Sequence, residues 1–434
     1  MDNLLSKIET KTAKVAVIGL GYVGLPLAVD FAIAGFHVVG IDKNQARADA
    51  TNNGQNYIRD VSETDLKTVT KNGLLNGTTS FSVLQETDAI FICVPTPLSK
   101  TKDPDVSLIL HATDSIHQHL HSNQLICLES TTYPGTTREL ILPRLRETGL
   151  KVGKDFSLAF SPERIDPGNS HFKLKNTPKV IGGITSTCLN LSQKLYENIV
   201  DQVVPVSSTE AAEMVKLLEN TFRSVNIGLV NEMAIMAQKL GLDVWEIIHA
   251  ASTKPYGFMP FYPGPGLGGH CIPVDPHYLA WKLKTLNYKA RFIEMAGEIN
   301  AAMPHHVVDL IARGLNRIKK SVNGSNILVI GVSYKKDIAD IRESPALDII
   351  SILQAREAVI SWNDPYIDDY PTTPLPRFVK DLTPSSLSAA DCVVIVTDHS
   401  SYDWNFIVEN SSLIVDTRNA TKNVQCPQGR VLKL

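Results

Sequence analysis

The sequence predicts an α/β protein built from two doubly wound, Rossmann-like domains that are joined by a long central helix and a helical dimerisation domain. Three observations predict this class: a strand, a glycine turn and a helix near the N-terminus, a long helical stretch from Ser208, and a second series of strands from Ser325. Alternating strands and helices are typical of parallel sheets. We therefore expect an N-terminal domain over residues 1–207, a helical domain over 208–320 and a C-terminal domain over 321–434.

Length and composition exclude several classes of protein. The chain has 434 residues, 43% of them hydrophobic and 20% charged, and a formal net charge of -3. This length favours two or three domains. Proteins that bind nucleic acid or anionic membranes usually have an excess of basic residues, and this chain has none. The polar N-terminus lacks the apolar core of a signal peptide and no run is long enough to cross a bilayer, so we expect a cytoplasmic protein. The six cysteines are scattered without zinc-ligand spacing, so we expect no metal site.

The first predicted strand, Lys14–Leu20, runs directly into a glycine turn. Gly19, Gly21 and Gly24 have the G-x-G-x-x-G spacing, and a helical pattern follows them. Such glycines let the backbone approach a pyrophosphate, which binds at the positive end of the helix. The alternative is a turn with a purely structural role.

The second predicted strand, His37–Ile41, ends in Asp42. Its distance from Gly24 is that expected of the acid that binds the adenosine ribose hydroxyls. A carboxylate here repels a 2′-phosphate, which favours NAD over NADP as the cofactor. Lys43 and Arg47 lie close by in the sequence and weaken this preference.

Two further predicted strands are followed by threonines. The run 88–94 precedes Thr96, and the run 124–129 precedes Thr131. Ligands of open parallel sheets lie beyond the carboxyl ends of the strands, so both threonines are placed to contact the cofactor. Both could equally cap the next helix.

The next strand-end loop carries charged residues. Glu163 and Arg164 follow a strand at 156–160, and the last strands of this domain are predicted at 178–183 and 201–206.

The helical stretch from Ser208 contains Lys216 and Asn220, one turn apart and therefore on one face. The alternative interpretation of Lys216 is an ordinary solvated lysine. The Ala-, Met- and Leu-rich surface suits a bridge between domains or a homodimer interface. We expect an interruption at Gly228 and a later helix that begins near Pro304.

The segment Tyr262–Pro276 is rich in both glycine and proline and contains Cys271. Its glycines permit positive φ angles and its prolines stiffen the chain, so it predicts a shaped, ligand-facing loop. If the chain coils after Cys271, Asp275 lies on the same face, as a nucleophile and an acid/base group would. Alternatively, Cys271 is a small buried hydrophobic residue and Asp275 is a helix N-cap.

The C-terminal half has a second α/β pattern without G-x-G-x-x-G, so we expect a doubly wound domain that is not a second dinucleotide site. Lys335 and Arg342 in its first strand-end loop suit an anionic ligand. Its strands are predicted at 325–332, 358–362, 391–397 and 412–416.

Taken together, the motifs resemble those of the UDP-glucose/UDP-mannuronate dehydrogenase family over nearly the whole chain. Seven of them occur in the family's order: GLGYVGLP at 19–26, VPTP at 94–97, STTYPGTT at 130–137, SPER at 161–164, AAEMVKLLEN at 211–220, GGHCIPVDP at 268–276 and YKKDIADIRESP at 334–345.

The resemblance implies an NAD-dependent 6-dehydrogenase that acts on a UDP-sugar. It implies an N-terminal NAD domain, a central helical domain that forms a homodimer, and a C-terminal domain that helps to hold UDP. The family oxidises the C6 alcohol to a carboxylate in two steps, using two NAD+ and one water. A thiolate adds to the intermediate aldehyde, and the second oxidation gives a thioester that water hydrolyses.

The resemblance also implies roles for individual residues. Cys271 corresponds to the nucleophile, Lys216 to the cation that stabilises the developing alkoxide, and Asn220 to its assistant. Asp275 corresponds to the residue that positions or deprotonates water, and Glu163 to a further acid/base carboxylate.

Thr131 completes the implied catalytic set, near the nicotinamide and the catalytic water. The other implied contacts are with the cofactor and with the substrate. The cofactor-binding residues are Gly19, Gly21, Tyr22, Val23, Gly24, Asp42, Arg47, Thr96, Thr131 and Arg342. The substrate-binding residues are Glu163, Arg164, Lys216, Asn220, Phe261, Tyr262, Gly268 and Lys335.

One departure from the family pattern bears on the substrate. Many UDP-glucose members read Pro-Glu-Phe-Leu-Arg-Glu-Gly, whereas Pro167 replaces the second glutamate here. With the segment 254–266, this resembles the branch that acts on UDP-N-acetylhexosamines, most closely UDP-N-acetylglucosamine. UDP-N-acetylmannosamine and UDP-glucose are the alternative substrates.

Two other classes of protein are alternatives. An NAD-binding regulatory module would need no thiol beside a lysine. A Rossmann-fold epimerase would carry a Tyr-x-x-x-Lys pair in a single domain, which leaves the second α/β half unexplained.

Overall fold

The fold is that of a computed structural model, which describes residues 1–58, 60–99, 103–166, 168–169, 171–269, 272–367, 376–427 and 429–434. The chain divides into two compact units. The first contains Met1–Glu219 and His277–Tyr288, and the second contains Asn220–Pro276 and Lys289–Leu434. The three-domain division stays a prediction.

The first unit is organised around an eight-stranded sheet with the order β3-β2-β1-β4-β5-β6-β7-β8. All neighbouring strands are parallel except β6 and β7, which are antiparallel. Its strands are β1 (Lys14–Ile18), β2 (His37–Ile41), β3 (Leu75–Thr78), β4 (Ala89–Ile92), β5 (Gln124–Leu128), β6 (Phe156–Phe160), β7 (Lys179–Gly183) and β8 (Val203–Val206).

Helices cover both faces of this sheet. Alternate residues of β1 enter different hydrophobic clusters: Val15 and Val17 pack on one face and Ala16 and Ile18 on the other. This burial on both sides explains the nearly continuous apolar run of the strand. The helices are α1 (Asp2–Glu9), α2 (Gly24–Ile33), α3 (Gln45–Asn52), α4 (Glu63–Lys71), α5 (Ser107–His119), α6 (Leu142–Arg146) and α7 (Ser186–Tyr196), with a 3₁₀ helix at Phe81–Glu86 and a π turn at Thr137–Ile141.

The longest helix is α8 (Thr209–Leu240), which ends before Gly241 at φ +71°. The expected interruption at Gly228 is wrong, because the helix is continuous there. A Cβ on Gly228 would lie 3.1 Å from the Cα of Ala296. Glycine therefore permits a close approach of two helices and does not break one.

The second unit contains a six-stranded parallel sheet with the order β11-β10-β9-β12-β13-β14. The two Rossmann-like sheets and the central helix confirm the predicted fold class. The strands are β9 (Asn326–Ile330), β10 (Val359–Asn363), β11 (Arg377–Phe378), β12 (Cys392–Ile395), β13 (Ile414–Asp416) and β14 (Val431–Lys433). The remaining helices of the chain are α9 (Val244–Ala251), α10 (Asp275–Lys284), α11 (Arg291–Arg317), α12 (Pro345–Ala355), α13 (Pro384–Ser388) and α14 (Trp404–Asn410).

The predicted helix start near Pro304 is wrong. Helix α11 begins at Arg291 and continues through Pro304, which is buried. Proline removes one helical hydrogen bond. Burial of the apolar side of this 27-residue helix, which includes Met303, Val307 and Ile311, compensates for that loss.

Within the described part of the chain, no helix combines the length and the apolar character that a membrane span requires.

Candidate active site

The turn after β1 has the shape that its glycines predict. Gly19 has φ +95°, and a Cβ there would lie 2.6 Å from the carbonyl oxygen of Cys93. A Cβ on Gly24 would lie 1.8 Å from the carbonyl oxygen of Gly19. On Gly21 a Cβ would have no neighbour within 4 Å among the described residues. Two glycines are thus needed for packing, and the third leaves an open approach to the backbone.

Helix α2 begins at Gly24, directly after this turn, with Val23 at its N-cap. In the described chain its first turn has neither a side-chain cap nor an acidic residue. Its N–H groups and positive dipole end therefore suit a pyrophosphate. Tyr22, also predicted to bind the cofactor, is 45% exposed in the same turn.

Asp42 lies at the end of β2, buried beside the glycine turn. Its carboxylate accepts hydrogen bonds from the backbone N–H groups of Leu20 and Asn44, both at 2.9 Å. The guanidinium of Arg47 lies 3.3 Å from the same carboxylate. The carboxylate is thus held at the strand end beside the glycine turn, where the acid that binds a ribose is expected, so the turn, α2 and Asp42 together fit a dinucleotide.

The two predicted cofactor-contacting threonines lie at neighbouring strand ends. The carbonyl oxygen of Thr96, after β4, accepts a hydrogen bond of 2.9 Å from the hydroxyl of Tyr278. Thr131 is half-buried after β5 and follows Ser130, whose hydroxyl donates to the carbonyl oxygen of Val94 at 2.8 Å. The next helical turns have Val106 and Thr136 at their N-caps, so capping is not the role of either threonine.

Glu163 and Lys216 come together at the end of β6. The ammonium of Lys216 donates a hydrogen bond to the carbonyl oxygen of Glu163, and both residues are 8% exposed. The interpretation of Lys216 as a solvated lysine is therefore wrong. The carboxylate of Glu163 accepts from the N–H groups of Arg164 at 2.7 Å and Ile165 at 2.6 Å, and from the ammonium of Lys179 at 3.3 Å.

This environment favours the ionised form of Glu163. Burial alone would raise the pKa of its carboxyl, but the charge of Lys179, the hydrogen bond from Ile165 and the charge of Lys216 outweigh burial and lower this pKa. Glu163 is thus a carboxylate held beside two cations, which is a proton acceptor with defined geometry.

Lys179 and Glu129 are site residues that sequence reasoning missed. The ammonium of Lys179 lies 2.6 Å from the carboxylate of Glu129, and both side chains are almost fully buried. Tyr196 donates a hydrogen bond to the same carboxylate. The available signal was a lysine that opens the buried strand Lys179–Gly183 and a glutamate directly before a strand-end Ser-Thr-Thr motif.

Arg164 is anchored within the first unit. Its guanidinium donates to the carbonyl oxygen of Pro178 and to the carboxylate of Glu219, both at 2.6 Å. These contacts fix its position, while its substrate-binding role stays a prediction.

In the second unit, Asn220 and Asp275 form a direct pair. The side-chain amide of Asn220 donates to the carboxylate of Asp275 at 2.5 Å, and Asp275 is 3% exposed at the start of α10. The nucleophile predicted from the sequence, Cys271, lies outside the described residues, as do His270 and Pro167.

The glycine-rich loop before Cys271 packs on the strand-end loop that contains Lys335 and Arg342. A Cβ on Gly268 would lie 2.6 Å from the Cβ of Tyr334, and the N–H of Gly269 donates to the carbonyl oxygen of Arg342 at 3.1 Å. The structure thus brings predicted substrate and cofactor residues of this unit onto two touching loops. The guanidinium of Arg342 also pairs with Asp340 at 2.6 Å.

Two asparagines that the sequence did not single out hold this loop. The side chain of Asn231 on α8 accepts from the N–H of Gly264 at 2.9 Å and donates to Asn300 at 2.8 Å. Asn300 on α11 donates in turn to the carbonyl oxygen of Ser224 at 3.2 Å. Both asparagines are buried, so these bonds fix the loop on two helices.

Phe261 and Tyr262, predicted to bind substrate, lie where this loop starts. The ring of Phe261 contacts that of Phe222 edge to face at 5.6 Å, and the ring of Tyr262 stacks with that of Trp245 at 6.2 Å. Tyr262 remains 56% exposed.

In the residues that the structure describes, His, Cys, Asp and Glu form no group of three suited to a metal ion.

Family models match three consecutive parts of the chain. All three describe the UDP-glucose/GDP-mannose dehydrogenase family: its NAD binding domain matches residues 13–200, its central domain 210–302 and its UDP binding domain 328–423.

Individual relatives match nearly the whole chain. The UDP-N-acetyl-D-mannosamine dehydrogenase of Pyrococcus horikoshii is 35% identical over 415 residues, which are 94% of this chain and 96% of the relative. The UDP-N-acetyl-D-glucosamine 6-dehydrogenase of Pseudomonas aeruginosa is also 35% identical, over 400 residues, with 90% and 92% covered.

Solved structures agree with these matches. A UDP-D-ManNAc dehydrogenase from Pyrococcus horikoshii superposes with a TM-score of 0.87 at 34% identity, covering 97% of this chain and 98% of that one. A UDP-N-acetyl-mannosamine dehydrogenase from Staphylococcus aureus gives 0.83 at 32% identity, with 97% of each chain covered.

Proposed function

The chain belongs to the UDP-glucose/GDP-mannose dehydrogenase family, and we propose that it oxidises the C6 alcohol of a UDP-N-acetylhexosamine, UDP-N-acetylglucosamine in the first place, to the uronic acid. Membership makes it an NAD-dependent oxidoreductase that acts on a CH–OH group. The observation that most supports the proposal is the buried contact of Lys216 with Glu163, in the unit that also carries the glycine turn and Asp42.

The first oxidation requires that the C6 hydroxyl lose a proton and a hydride. Bound NAD+ supplies the hydride acceptor in both oxidations. The ammonium of Lys216 stabilises the alkoxide that develops as the proton leaves, and Asn220 assists it. The carboxylate of Glu163 accepts the proton. Thr131, at the end of β5, lies beside the reacting carbon.

The second oxidation requires a covalent step, because an aldehyde has no hydride to release until a group adds to its carbon. The thiolate of Cys271 adds to the aldehyde, and loss of a hydride from this thiohemiacetal gives a thioester. Asp275, held by Asn220, positions and deprotonates a water that attacks the thioester. The adduct collapses to the carboxylate product and the Cys271 thiolate, and the two protons of the water leave to solvent, one of them through Asp275.

Binding of the UDP moiety is proposed for the two touching loops of the second unit. Lys335 suits the diphosphate, while Gly268, Phe261 and Tyr262 line the path to the sugar. Arg342 is proposed to reach the cofactor, and Arg164 the substrate.

The identity of the sugar rests on the relatives and on sequence resemblance. One relative named for UDP-N-acetyl-D-mannosamine and one named for UDP-N-acetyl-D-glucosamine are equally similar, at 35% identity. We favour the glucosamine epimer because the segment 254–266 resembles that branch. The mannosamine epimer is the second candidate.

A homodimer through α8 is part of the proposal. Five of the exposed large apolar side chains on this helix form the α8 stripe. They follow one another at intervals of seven, four, three and four residues, which places them on one face. They are Phe222, Leu229, Met233, Met236 and Leu240. A second copy of the chain would cover them. The reaction is proposed to occur in the cytoplasm, where NAD+ and nucleotide sugars are available.

The test is to incubate the purified protein with NAD+ and, separately, UDP-N-acetylglucosamine, UDP-N-acetylmannosamine, UDP-N-acetylgalactosamine and UDP-glucose. NADH absorbance gives the rate, and mass spectrometry of the sugar gives the product. We expect two NADH per sugar and a uronic acid, fastest with UDP-N-acetylglucosamine. Absence of NADH with all four sugars would favour a regulatory NAD-binding module, and an isomerised sugar without NADH would favour an epimerase.

A further inference from the structure

The first unit contains a buried charge cluster of two carboxylates and two ammonium groups. Lys179 is its centre: the ammonium lies 2.6 Å from the carboxylate of Glu129 and 3.3 Å from that of Glu163. Lys216 completes the cluster through the carbonyl oxygen of Glu163. Two positive and two negative charges balance, which is the condition under which charged groups tolerate burial.

The two carboxylates of the cluster differ in their access to ligands. The side chain of Glu129 is 0% exposed, whereas that of Glu163 is 10% exposed. Glu129 also accepts a hydrogen bond from Tyr196, whose hydroxyl lies 3.5 Å from the sulfur of the buried Cys127. On that side the network ends in the hydrophobic core, so Glu129 faces the interior and Glu163 faces the site.

A lysine at position 179 is energetically unfavourable unless its buried charge is paired. The strand Lys179–Gly183 is buried throughout, and a β-branched apolar residue would suit its first position. Burial alone would lower the pKa of Lys179, but the charges of Glu129 and Glu163 outweigh it and raise this pKa. Lys179 is therefore a fixed positive charge, and its effect on Glu163 depends on how strongly Glu129 competes for it.

Other ionisable groups also face Glu163. Asp30 on α2 has a pKa raised to about 6 by burial and by the charge of Glu163. Cys93, after β4, has a pKa raised by burial and by Glu129. The guanidinium of Arg164 is already paired with Glu219. Lys179 is the cation closest to the Glu163 carboxylate among the described ion pairs.

We propose that Lys179 is a positioning residue that shares its charge between Glu129 and Glu163, so that the buried carboxylate of Glu129 sets the pH range in which Glu163 works as a proton acceptor. The inference rests on the proposed function, because it needs Glu163 to take part in the reaction. It adds a role for Lys179 and Glu129, which are not among the proposed substrate-binding and cofactor-binding residues.

Two variants separate this role from a merely structural one, because they move the pH profile in opposite directions. Glu129→Gln keeps the shape of the side chain and leaves all of the Lys179 charge to Glu163. We expect the acid limb of kcat/KM to move to lower pH, on the order of one pH unit. The double variant Glu129→Gln with Lys179→Met removes one charge of each sign and leaves no unpaired Glu129. Glu163 then loses the charge of Lys179, which lies 3.3 Å from its carboxylate and lowers its pKa, so the acid limb should move to higher pH.

The assay uses whichever of UDP-N-acetylglucosamine and UDP-N-acetylmannosamine the wild-type protein oxidises faster. The control is Glu197→Gln, which breaks an exposed pair with Lys194 on α7 and should leave the limb unmoved. The KM for NAD+ should stay unchanged in all variants. If the acid limb moves in the same direction in both variants, or does not move in either while the wild-type protein is fully active, the role of Lys179 and Glu129 is overturned. The proposed function is untouched by that result. A wild-type protein inactive with both sugars would overturn the proposed function and this inference with it.

Discussion

The ammonium of Lys216 donates a hydrogen bond to the main-chain carbonyl oxygen of Glu163. The bond ties α8 to the loop after β6, while the carboxylate of Glu163 points to Lys179. An ammonium has three N–H donors, so one bond to a carbonyl oxygen orients it without using up its capacity to bind an alkoxide. The contact thus holds a cation and a proton acceptor in a fixed relation.

Replacement of Lys216 tests this relation. In Lys216→Met the developing alkoxide loses its cation, and we expect kcat to fall by about 100- to 1000-fold. The steady-state rate of NADH formation measures it. Lys239→Met, at the exposed end of the same helix, is the matched control and should retain wild-type kcat. Equal rates in the two variants would remove Lys216 from the mechanism.

Replacement of Cys271 tests the covalent step. Cys271→Ser removes the thiol that carries the second oxidation, so at most one NADH per sugar should form and no uronic acid should accumulate. Single-turnover measurements with excess enzyme give this ratio. Cys426→Ser, at a partly buried free thiol in the C-terminal part of the chain, should keep two NADH per sugar. Two NADH per sugar in Cys271→Ser would refute the assigned nucleophile.

Asp42 is the residue from which a cofactor preference can be predicted. In Asp42→Asn the bond to the N–H of Leu20 can remain while the negative charge is lost. We expect kcat/KM for NAD+ to fall by about 10- to 100-fold. The ratio of kcat/KM for NAD+ to that for NADP+ should also fall, because Arg47 is released from its 3.3 Å ion pair.

The double variant Asp42→Asn with Arg47→Met is the control for this prediction. It should lose the gain with NADP+, since the guanidinium that would meet a 2′-phosphate is gone. An unchanged cofactor ratio in the single variant would show that Asp42 does not select the cofactor.

The local pattern was enough to predict the glycine turn and the acid after β2. Gly19, Gly24 and Asp42 act through backbone geometry within one strand–turn–helix unit, so spacing along the chain reports their positions. The burial of Lys216 was not predictable from its helix, because it depends on a partner 53 residues away.

The contact between Lys179 and Glu129 could not be predicted from the sequence for the same reason. These residues are 50 positions apart and meet only because β5, β6 and β7 are neighbours in the sheet. The first helix shows a further limit of prediction from sequence. The polar N-terminal segment has no pattern that clearly indicates a helix, yet α1 buries Leu4 and Ile8 in the hydrophobic core of the first unit. Tertiary packing decides both cases.

The α8 stripe leads to a prediction of oligomeric state. A glutamate at its centre, in Met233→Glu, would bury an unpaired charge in the proposed homodimer interface, so the protein should become monomeric. Sedimentation velocity measures the change of mass. Asn405→Glu adds the same charge at an exposed position of α14 and should remain dimeric. A monomeric wild-type protein, or a dimeric Met233→Glu, would contradict the proposed interface.

Glu213 holds the loop that follows Thr131. Its carboxylate accepts from the N–H of Gly135 at 2.6 Å, and from the N–H and hydroxyl of Thr137 at 2.9 and 2.7 Å. These bonds favour the charged form, but burial outweighs them and raises the pKa of Glu213 from 4.5 to about 7.

This raised pKa predicts a loss of stability toward neutral pH. Between pH 4.5 and 7 the folded protein retains a proton on Glu213 that the unfolded chain has released, so the free energy of unfolding falls as pH rises and levels off above 7, by at most about 3 kcal/mol. Glu213→Gln has no such titration, so its urea midpoint should fall less over this range. Glu210→Gln is the control: burial raises the pKa of Glu210, but the hydrogen bonds from Arg138 and Thr209 and the charge of Arg138 together outweigh burial and lower this pKa. The stability that Glu210 contributes is therefore lost only in acid, so this variant should show the wild-type slope between pH 5 and 7.5 and a different slope only at lower pH. Equal slopes between pH 5 and 7.5 in wild type and Glu213→Gln would show that Glu213 is already ionised in the folded protein at pH 5.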